Sequence, residues 1–313
     1  MSVVFVSLFS LFVLYQRNTI DYGTIDDIFQ AEAIRMDDTV YRRKTDIDTY
    51  LLMGIDKRGG QADAIFLAVA DNRSKDIYLI PVNRNIMAEI DCYSADGEHL
   101  GGQIAQLCLS HSMVYDYADA NLATQNAVSF LLYNVPIDYY VALEMDGITA
   151  LSDIVGDVNI ILNETLDSAG FVAGESITVQ GDNIDQYLRA RDLNHLGGSH
   201  KRLERQTSYI LACYDKMHST KGIWDILFGH NGELSLDSLR AKYNTVKPYI
   251  TTNIPDIVGV GAKYLTYTLK DSQVYFAPHT TTQNPETLYE ECYLMEAEMK
   301  EILLKVFYRP TLY

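Results

Sequence analysis

The chain has 313 residues and a formal net charge of −17, from 42 Asp and Glu against 25 Lys and Arg. A surface of that sign repels polyphosphate backbones and argues against nucleic acid as a partner. Hydrophobic residues make up 48% of the chain, and no segment is repetitive or low in complexity, which excludes disordered and solenoid classes.

In chain order, the first feature is Ser2 to Tyr15, SVVFVSLFSLFVLY, a run without charge. It is shorter than the ~20 apolar residues that span a bilayer. No basic residues precede it and no small-residue cleavage site follows, so a cleaved signal peptide fits poorly. Residues 1–15 are read as a truncated transmembrane anchor, with a buried core segment as the alternative. Residues 16–46 are polar with scattered apolar positions and read as a juxtamembrane stalk. From residue 47 to 313 no linker-like composition interrupts the chain, which is read as one domain.

Within that domain Tyr50–Ile55, Ala64–Ala70 and Asp76–Val82 are continuous apolar runs, the pattern of central strands covered on both faces. Helices are expected over Gln103–Ala118 and Asn121–Tyr133, then a strand over Pro136–Leu143. A short helix from Met145 to Val155, a strand over Asp157–Leu162 and a hairpin-like excursion over Gly170–Val179 follow. Gly181–Arg191 reads as a helix, and a further helix begins just after a Gly197-Gly198 break with Ser199 as its N-cap. Trp224–Phe228 is an apolar stretch. Leu236–Val246 and Ile254–Tyr264 read as helices, Ser272–Ala277 as a strand, and Pro285–Phe307 as a long terminal helix opened by its proline. Strands alternating with helices indicate an α/β fold with a mixed sheet.

Chemistry concentrates in two places. The ends of the first three strands present Asp56, Arg58, Asp63 and Arg84, a combination suited to phosphate and a divalent cation. Further on, Arg189 and Arg191 precede the glycine break. Arg202, Arg205, Gln206 and Tyr209 follow it at helical spacing, on one face beside an apolar stripe of Leu203, Thr207, Ile210, Leu211 and Tyr214. Guanidinium forks bind oxyanions in bidentate fashion; a solvated charged face and loop salt bridges are the alternative readings. Cys92, Cys108, Cys213 and Cys292 are widely spaced and form no metal pattern, so paired disulfides and buried thiols both remain open. The histidines are scattered, and His195 and His200, inside the arginine stretch, are the ones placed to touch a ligand.

These motifs, in this order, resemble the LytR-CpsA-Psr family of bacterial cell-envelope proteins. Gly54-Ile55-Asp56-Lys57-Arg58 resembles the family's G-x-D-x-R, and Gln61-Ala62-Asp63 its second acidic motif. Ile80-Pro81-Val82-Asn83-Arg84 is similar to its strand-end arginine, and Pro136 to Tyr140 with Asp146-Gly147 to the middle of the domain. Arg189-Ala190-Arg191 and Arg202-Leu203-Glu204-Arg205-Gln206 resemble its R-x-R and R-x-x-R-Q. The resemblance implies an α-β-α sandwich with a mixed central sheet and a long pocket for a polyprenyl chain. It implies a single N-terminal membrane anchor with the domain outside a Gram-positive-type cell. The implied activity is transfer of a glycopolymer, such as teichoic acid or capsule, from an undecaprenyl-pyrophosphate carrier to peptidoglycan. Asp63, Arg84 and Arg205 would be catalytic. Arg58, Arg189, Arg191, Arg202 and Gln206 would bind substrate, and Asp56 and Asp63 would hold Mg²⁺. The chain departs from the pattern at Asn85 and Ser199, where acids are expected. That leaves a non-transferring polyprenyl-phosphate-binding envelope protein or attenuator as the alternative, and a pyrophosphatase using water as a third reading.

Overall fold

Side chains alternate across a strand, so a run of apolar residues supplies two cores at once. The computed structural model describes residues 19–21, 32–36, 39–56, 60–94, 96–114, 117–190, 196–219 and 236–311. Strands β1 (Thr19–Asp21), β2 (Ala33–Met36) and β3 (Thr39–Arg43) come first, then β4 (Ile47–Ile55), β5 (Ala62–Asp71) and β6 (Asp76–Pro81). A hairpin of β7 (Met87–Tyr93) and β8 (His99–Gln106) leads to a single turn, α1 (Leu109–Ser112), and to helix α2 (Tyr117–Leu131). Next come β9 (Tyr139–Glu144), α3 (Ile148–Val155), β10 (Val158–Ile161), β11 (Ser176–Val179), α4 (Gly181–Arg189) and α5 (Gly198–His218). The last elements are α6 (Leu236–Val246), β12 (Ile250–Thr252), α7 (Ile257–Tyr264), β13 (His279–Gln283), β14 (Glu290–Leu294), α8 (Glu296–Phe307) and β15 (Tyr308–Thr311).

The central sheet has the order β12-β9-β4-β5-β6, with β4 and β9 parallel and the other pairs antiparallel. Leu51, Met53, Ile55, Ile65, Leu67 and Val69 face a core completed by Ala127 and Val128 of α2 and by Leu303 and Phe307 of α8. Leu52, Ala64, Phe66 and Ala68 face the other way, onto Leu203, Ile210, Leu211 and Tyr214 of α5. Helices thus cover both faces of a mixed sheet, as expected. A third cluster joins α3, the β10–β11 hairpin, α4 and α5 through Ile148, Val158, Ile160, Val179, Ile184 and Tyr209. Asp138, in the motif before β9, accepts from the backbone N–H (2.9 Å) and the hydroxyl (2.8 Å) of Thr49, and so fixes where the parallel pair begins.

Several expectations are corrected. Gln103–Gln106 is not helical but completes β8, whose partner β7 lies on a segment with no local strand pattern; cross-strand pairing overrode a helix-compatible spacing. Pro285 opens no helix. Asn284 accepts from the N–H groups of Glu286 and Thr287, and Leu288 takes φ 60°, so the chain turns from β13 into β14 and becomes helical only at Glu296. Ser272–Ala277 is not a ladder strand; it runs beside β6 through Tyr275 N–H to Leu79 O and Ala277 N–H to Pro81 O, both 2.9 Å. Ser199 is not the N-cap of α5. Gly197 takes that place with φ 87°, a left-handed conformation that glycine adopts without strain. All four cysteines are free.

Part of the stretch expected to be a stalk is built into the domain. β2 pairs with β3, and β3 with the C-terminal β15. Behind this sheet Asp71, 2% exposed, binds Lys44 at 3.1 Å and Arg309 at 2.7 Å, while Arg309 also reaches Asp46 at 2.8 Å. The run at residues 2–15 and the stretch Trp224–Phe228 lie outside the described residues. Among the described residues no helix is long and apolar enough to cross a membrane.

Burial pushes the Asp71 carboxyl up, but donors from Arg309, the Ser74 N–H and Lys44 outweigh it and hold the group below its ordinary value of 3.8. A depressed folded-state value stabilises the fold above 3.8 and loses that contribution as pH falls through the folded value. Asp71→Ala is expected to cost about 3–5 kcal/mol at neutral pH, because it strands a buried lysine, and to flatten the acid limb of stability. Urea midpoints measured between pH 2 and pH 7 check both outcomes.

Candidate active site

β4 and β6 end, and β5 begins, at the same edge of the sheet. Gly54 pairs with Ala64 and Ile55 with Ala62, so Asp63 is the extra residue of a β-bulge. A bulge re-aims the side chain it carries. A Cβ on Gly54 would stand 3.1 Å from both Ala64 Cβ and Met145 Sδ, so a larger residue there would push the strands apart beside the bulge.

Asp63 is shared by two guanidinium groups. Its Oδ1 lies 3.0 Å from Arg84 Nη1 and its Oδ2 3.3 Å from Arg202 Nη1. Arg202 Nη2 also donates to the Asp63 carbonyl at 3.2 Å. Arg84 donates through Nη2 to Gln61 Oε1 and meets Cys108 Sγ at 2.9 Å. Burial pushes the Cys108 thiol up, against the pull of Arg84, and its sulfur stands against the guanidinium as part of the wall. At the neighbouring strand end Asp56 Oδ1 meets Arg189 Nη1 at 3.3 Å.

Arg205 sits deeper, with its side chain 1% exposed. It donates through Nε to Tyr187 O at 3.1 Å and through Nη1 to Glu164. Burial pushes the Tyr187 phenol up to about 12. Gln206 is buried on the same helix. The arginine face of α5 is therefore not a solvated one. Arg84 Nε and Arg205 Nη2 are buried without a hydrogen-bond partner among the described residues. Buried donors left open are costly, and an oxyanion or a water reaching either one would satisfy it. Arg58, Arg191 and His195 lie outside the described residues.

Two acids escaped the sequence reading. Glu164 holds Arg205, and Glu290 of β14 holds Asn85 and Ser199. Asn85 Nδ2 lies 3.2 Å from Glu290 Oε1, to which the Ser199 hydroxyl also donates, and the Gly197 N–H lies 2.7 Å from Oε2. The two positions where acids were expected thus donate to an acid from a distant hairpin. Glu164 lies in a loop, and Glu290 falls in a stretch with helical spacing, so no local pattern marked either residue. His200 stacks edge-on against His279, with ring centroids 5.1 Å apart, and burial lowers its pKa. Among the described residues no group of three or more His, Cys, Asp or Glu is arranged to hold a metal ion.

α5 continues from the arginines to an apolar cavity of about 320 Å³. Its walls include Ile77, Ile154, Tyr214, Met217, Val258 and Leu265. At 1.5 Å per residue, Tyr214 lies ~14 Å along the helix axis from Arg205. One helix therefore carries oxyanion donors in its first half and an apolar wall in its second.

A family model described as the LytR_cpsA_psr family matches residues 17–301. The chain belongs to the LytR_cpsA_psr family. The polyisoprenyl-teichoic acid–peptidoglycan teichoic acid transferase TagU of Enterococcus faecalis is 28% identical over 181 residues, 55% of this chain and 54% of that protein. The chain spans about half the length of the curated relatives it matches. TagV of B. subtilis shares the fold with a TM-score of 0.62 at 17% identity, over 84% of this chain and 96% of that one. TagT bound to LI-WTA gives 0.61 at 17% identity, over 84% and 90%. For this LytR_cpsA_psr domain those structures establish the mixed-sheet architecture.

The burial of Arg205 makes its partner a sensitive position. Glu164→Ala is expected to destabilise the protein by about 3–5 kcal/mol, since a guanidinium is left buried and unpaired. Glu204→Ala, which removes a partner of the exposed Lys201, is expected to cost under about 1 kcal/mol. Chemical denaturation of the two variants side by side checks the contrast.

Proposed function

We propose that this domain is a phosphotransferase that moves a glycopolymer from a polyprenyl-pyrophosphate carrier to peptidoglycan. The observation that carries the reading is the pair Arg84 and Arg202 converging on Asp63, with Arg202 on the helix whose later turns wall an apolar cavity. A lipid pyrophosphate has that same division, two phosphates joined to a hydrocarbon tail. Each CH₂ buried in the cavity contributes ~0.8 kcal/mol, and the guanidinium forks bind the phosphates. The teichoic acid transferase activity of the TagU relatives supports the substrate class.

A sugar hydroxyl of the acceptor attacks the phosphorus next to the glycopolymer. The bond from that phosphorus to the bridging oxygen breaks, a phosphodiester forms, and the carrier leaves as its monophosphate with the electron pair. The arginines neutralise charge on both phosphates, which is most of what phosphoryl transfer asks of a protein. The hydroxyl proton passes to a carboxylate at the sheet edge. Asp56 suits that role better than Asp63, because both oxygens of Asp63 already carry a guanidinium whereas Asp56 meets Arg189 through one oxygen. By donor type Asp56, through its second oxygen, and Asp63, once a phosphate has drawn an arginine from it, would also hold Mg²⁺, with phosphate oxygens and water supplying further ligands, since the described residues offer no three-acid cluster. Bound there, the ion would add positive charge at the phosphates. The apolar run at residues 2–15 would anchor the domain at the outer membrane face.

A reading as a lipid-binding protein without transfer rests on Asn85 and Ser199; the reach of Glu290 to both weakens it. The test gives the full chain in detergent a synthetic polyprenyl-pyrophosphate glycan and peptidoglycan oligomers, with and without Mg²⁺. Sugar phosphate is expected on the oligomer, with loss of about a hundredfold or more in Arg202→Ala. Tight lipid binding without transfer, across several donor glycans, would contradict the transferase reading; phosphate release independent of acceptor would make it a hydrolase.

A further inference from the structure

We infer that Glu290 is a positioning residue for the arginine site, tying the loop that carries Arg84 to the helix turn that carries Arg202. The inference rests on the reading of that site as a pyrophosphate site. Arg84 and Arg202 come from different elements, the loop after β6 and the first turns of α5. They converge on one carboxylate, so the spacing between their guanidinium groups depends on how loop and helix are held together.

Asp63 cannot hold them alone once a ligand competes for its arginines. The second tie lies just behind. Glu290 Oε1 accepts from Asn85 Nδ2 at 3.2 Å and from the Ser199 hydroxyl, and Oε2 accepts from the Gly197 N–H at 2.7 Å. Asn85 is the residue after Arg84. Gly197 and Ser199 open the helix of Arg202, and Ser199 stands three residues, ~4.5 Å of rise, before it. Asn83, the residue before Arg84, closes the network: its Nδ2 lies 2.9 Å from the Ser199 hydroxyl and 3.2 Å from His279 Nε2, and its Oδ1 accepts the Asn85 N–H at 2.9 Å. His279 points its Nδ1 at Ala277 O, 2.8 Å away, so the tautomer with its proton on Nδ1 leaves Nε2 to accept from Asn83.

The hairpin bearing Glu290 is itself docked on the loop. The Cys292 N–H donates to Asn85 O at 3.0 Å, and Gln106 Nε2 donates to Glu290 O at 2.7 Å. A carboxylate at the start of a 21-residue helix is also favoured by the helix dipole. Its donors are an amide, a hydroxyl and a backbone N–H, and losing the acceptor would free both segments at once.

The test measures calorimetric binding of farnesyl pyrophosphate to the full chain and to Glu290→Ala, Glu290→Gln, Arg202→Ala and Glu291→Ala, each confirmed folded by thermal unfolding. Glu290→Ala is expected to weaken binding by about tenfold to a hundredfold. Glu290→Gln should fall between it and the parent, because the amide keeps an acceptor for Asn85 and Ser199 but turns N–H toward Gly197. Glu291→Ala, whose partners are Asn284 and Tyr293, should bind as the parent does. Should Glu290→Ala not fold, the Glu290→Gln affinity decides in the same way. Unchanged affinity in the folded Glu290 variants, with loss in Arg202→Ala, would overturn the positioning role and leave the site reading intact. Parent-like affinity in Arg202→Ala would overturn the site reading and this inference with it.

Discussion

One carboxylate shared by two guanidinium groups organises this domain. Asp63 draws Arg84 from the end of β6 and Arg202 from the start of α5 to a single edge of the sheet. Neither arginine is free to choose another geometry cheaply. The side chain of Arg202 is 7% exposed and that of Arg84 12%, so each needs an oxyanion partner where it stands. In the absence of ligand Asp63 supplies one. In the substrate reading proposed above, the non-bridging oxygens of a pyrophosphate take the place of the carboxylate's and offer each guanidinium its oxyanion partner.

The fold around the clamp serves to bring remote segments to that edge. Two antiparallel turns of the sheet place Asp56, Asp63 and Arg84 together, and the bulge at Asp63 turns its side chain to the arginines. α5 then spans the domain on the opposite side of the sheet from α2 and α8. Its Leu203 and Tyr209 enter two different apolar clusters, which fixes its rotation and with it the direction of Arg202 and Arg205. The same rotation sends Tyr214 and Met217 into the wall of the apolar cavity. Head-group chemistry and tail binding are therefore coupled through one rigid helix, in the substrate reading proposed above.

Much of this was legible in the sequence, for identifiable reasons. Runs such as AIFLAVA are continuous because alternate residues feed cores on opposite faces, and that doubling marks a covered strand without any tertiary information. Asp56, Asp63 and Arg84 stand at the ends of such strands, and the arginines of α5 repeat at helical spacing. What remained illegible depends on pairing over long separations. β7 acquires its identity from β8, and β14 from β13. Glu290 reaches the site across 205 residues from Asn85, a relation no local pattern encodes. The burial of Arg205 was also invisible, because its partner Glu164 sits on an irregular segment. The neutral residues Asn85 and Ser199 look like losses when read alone; beside Glu290 they are donors to an acid from a distant hairpin.

The most direct measurement is a crystal structure of the protein soaked with a polyprenyl pyrophosphate. Both phosphates are expected within hydrogen-bond distance of Arg84 and Arg202, with Asp63 released from at least one of them and the hydrocarbon chain running along α5 between Ile77 and Val258. A diphosphate bound elsewhere with the Asp63 pairs intact, or a tail that leaves the cavity beside Tyr214 and Met217 empty, would contradict it.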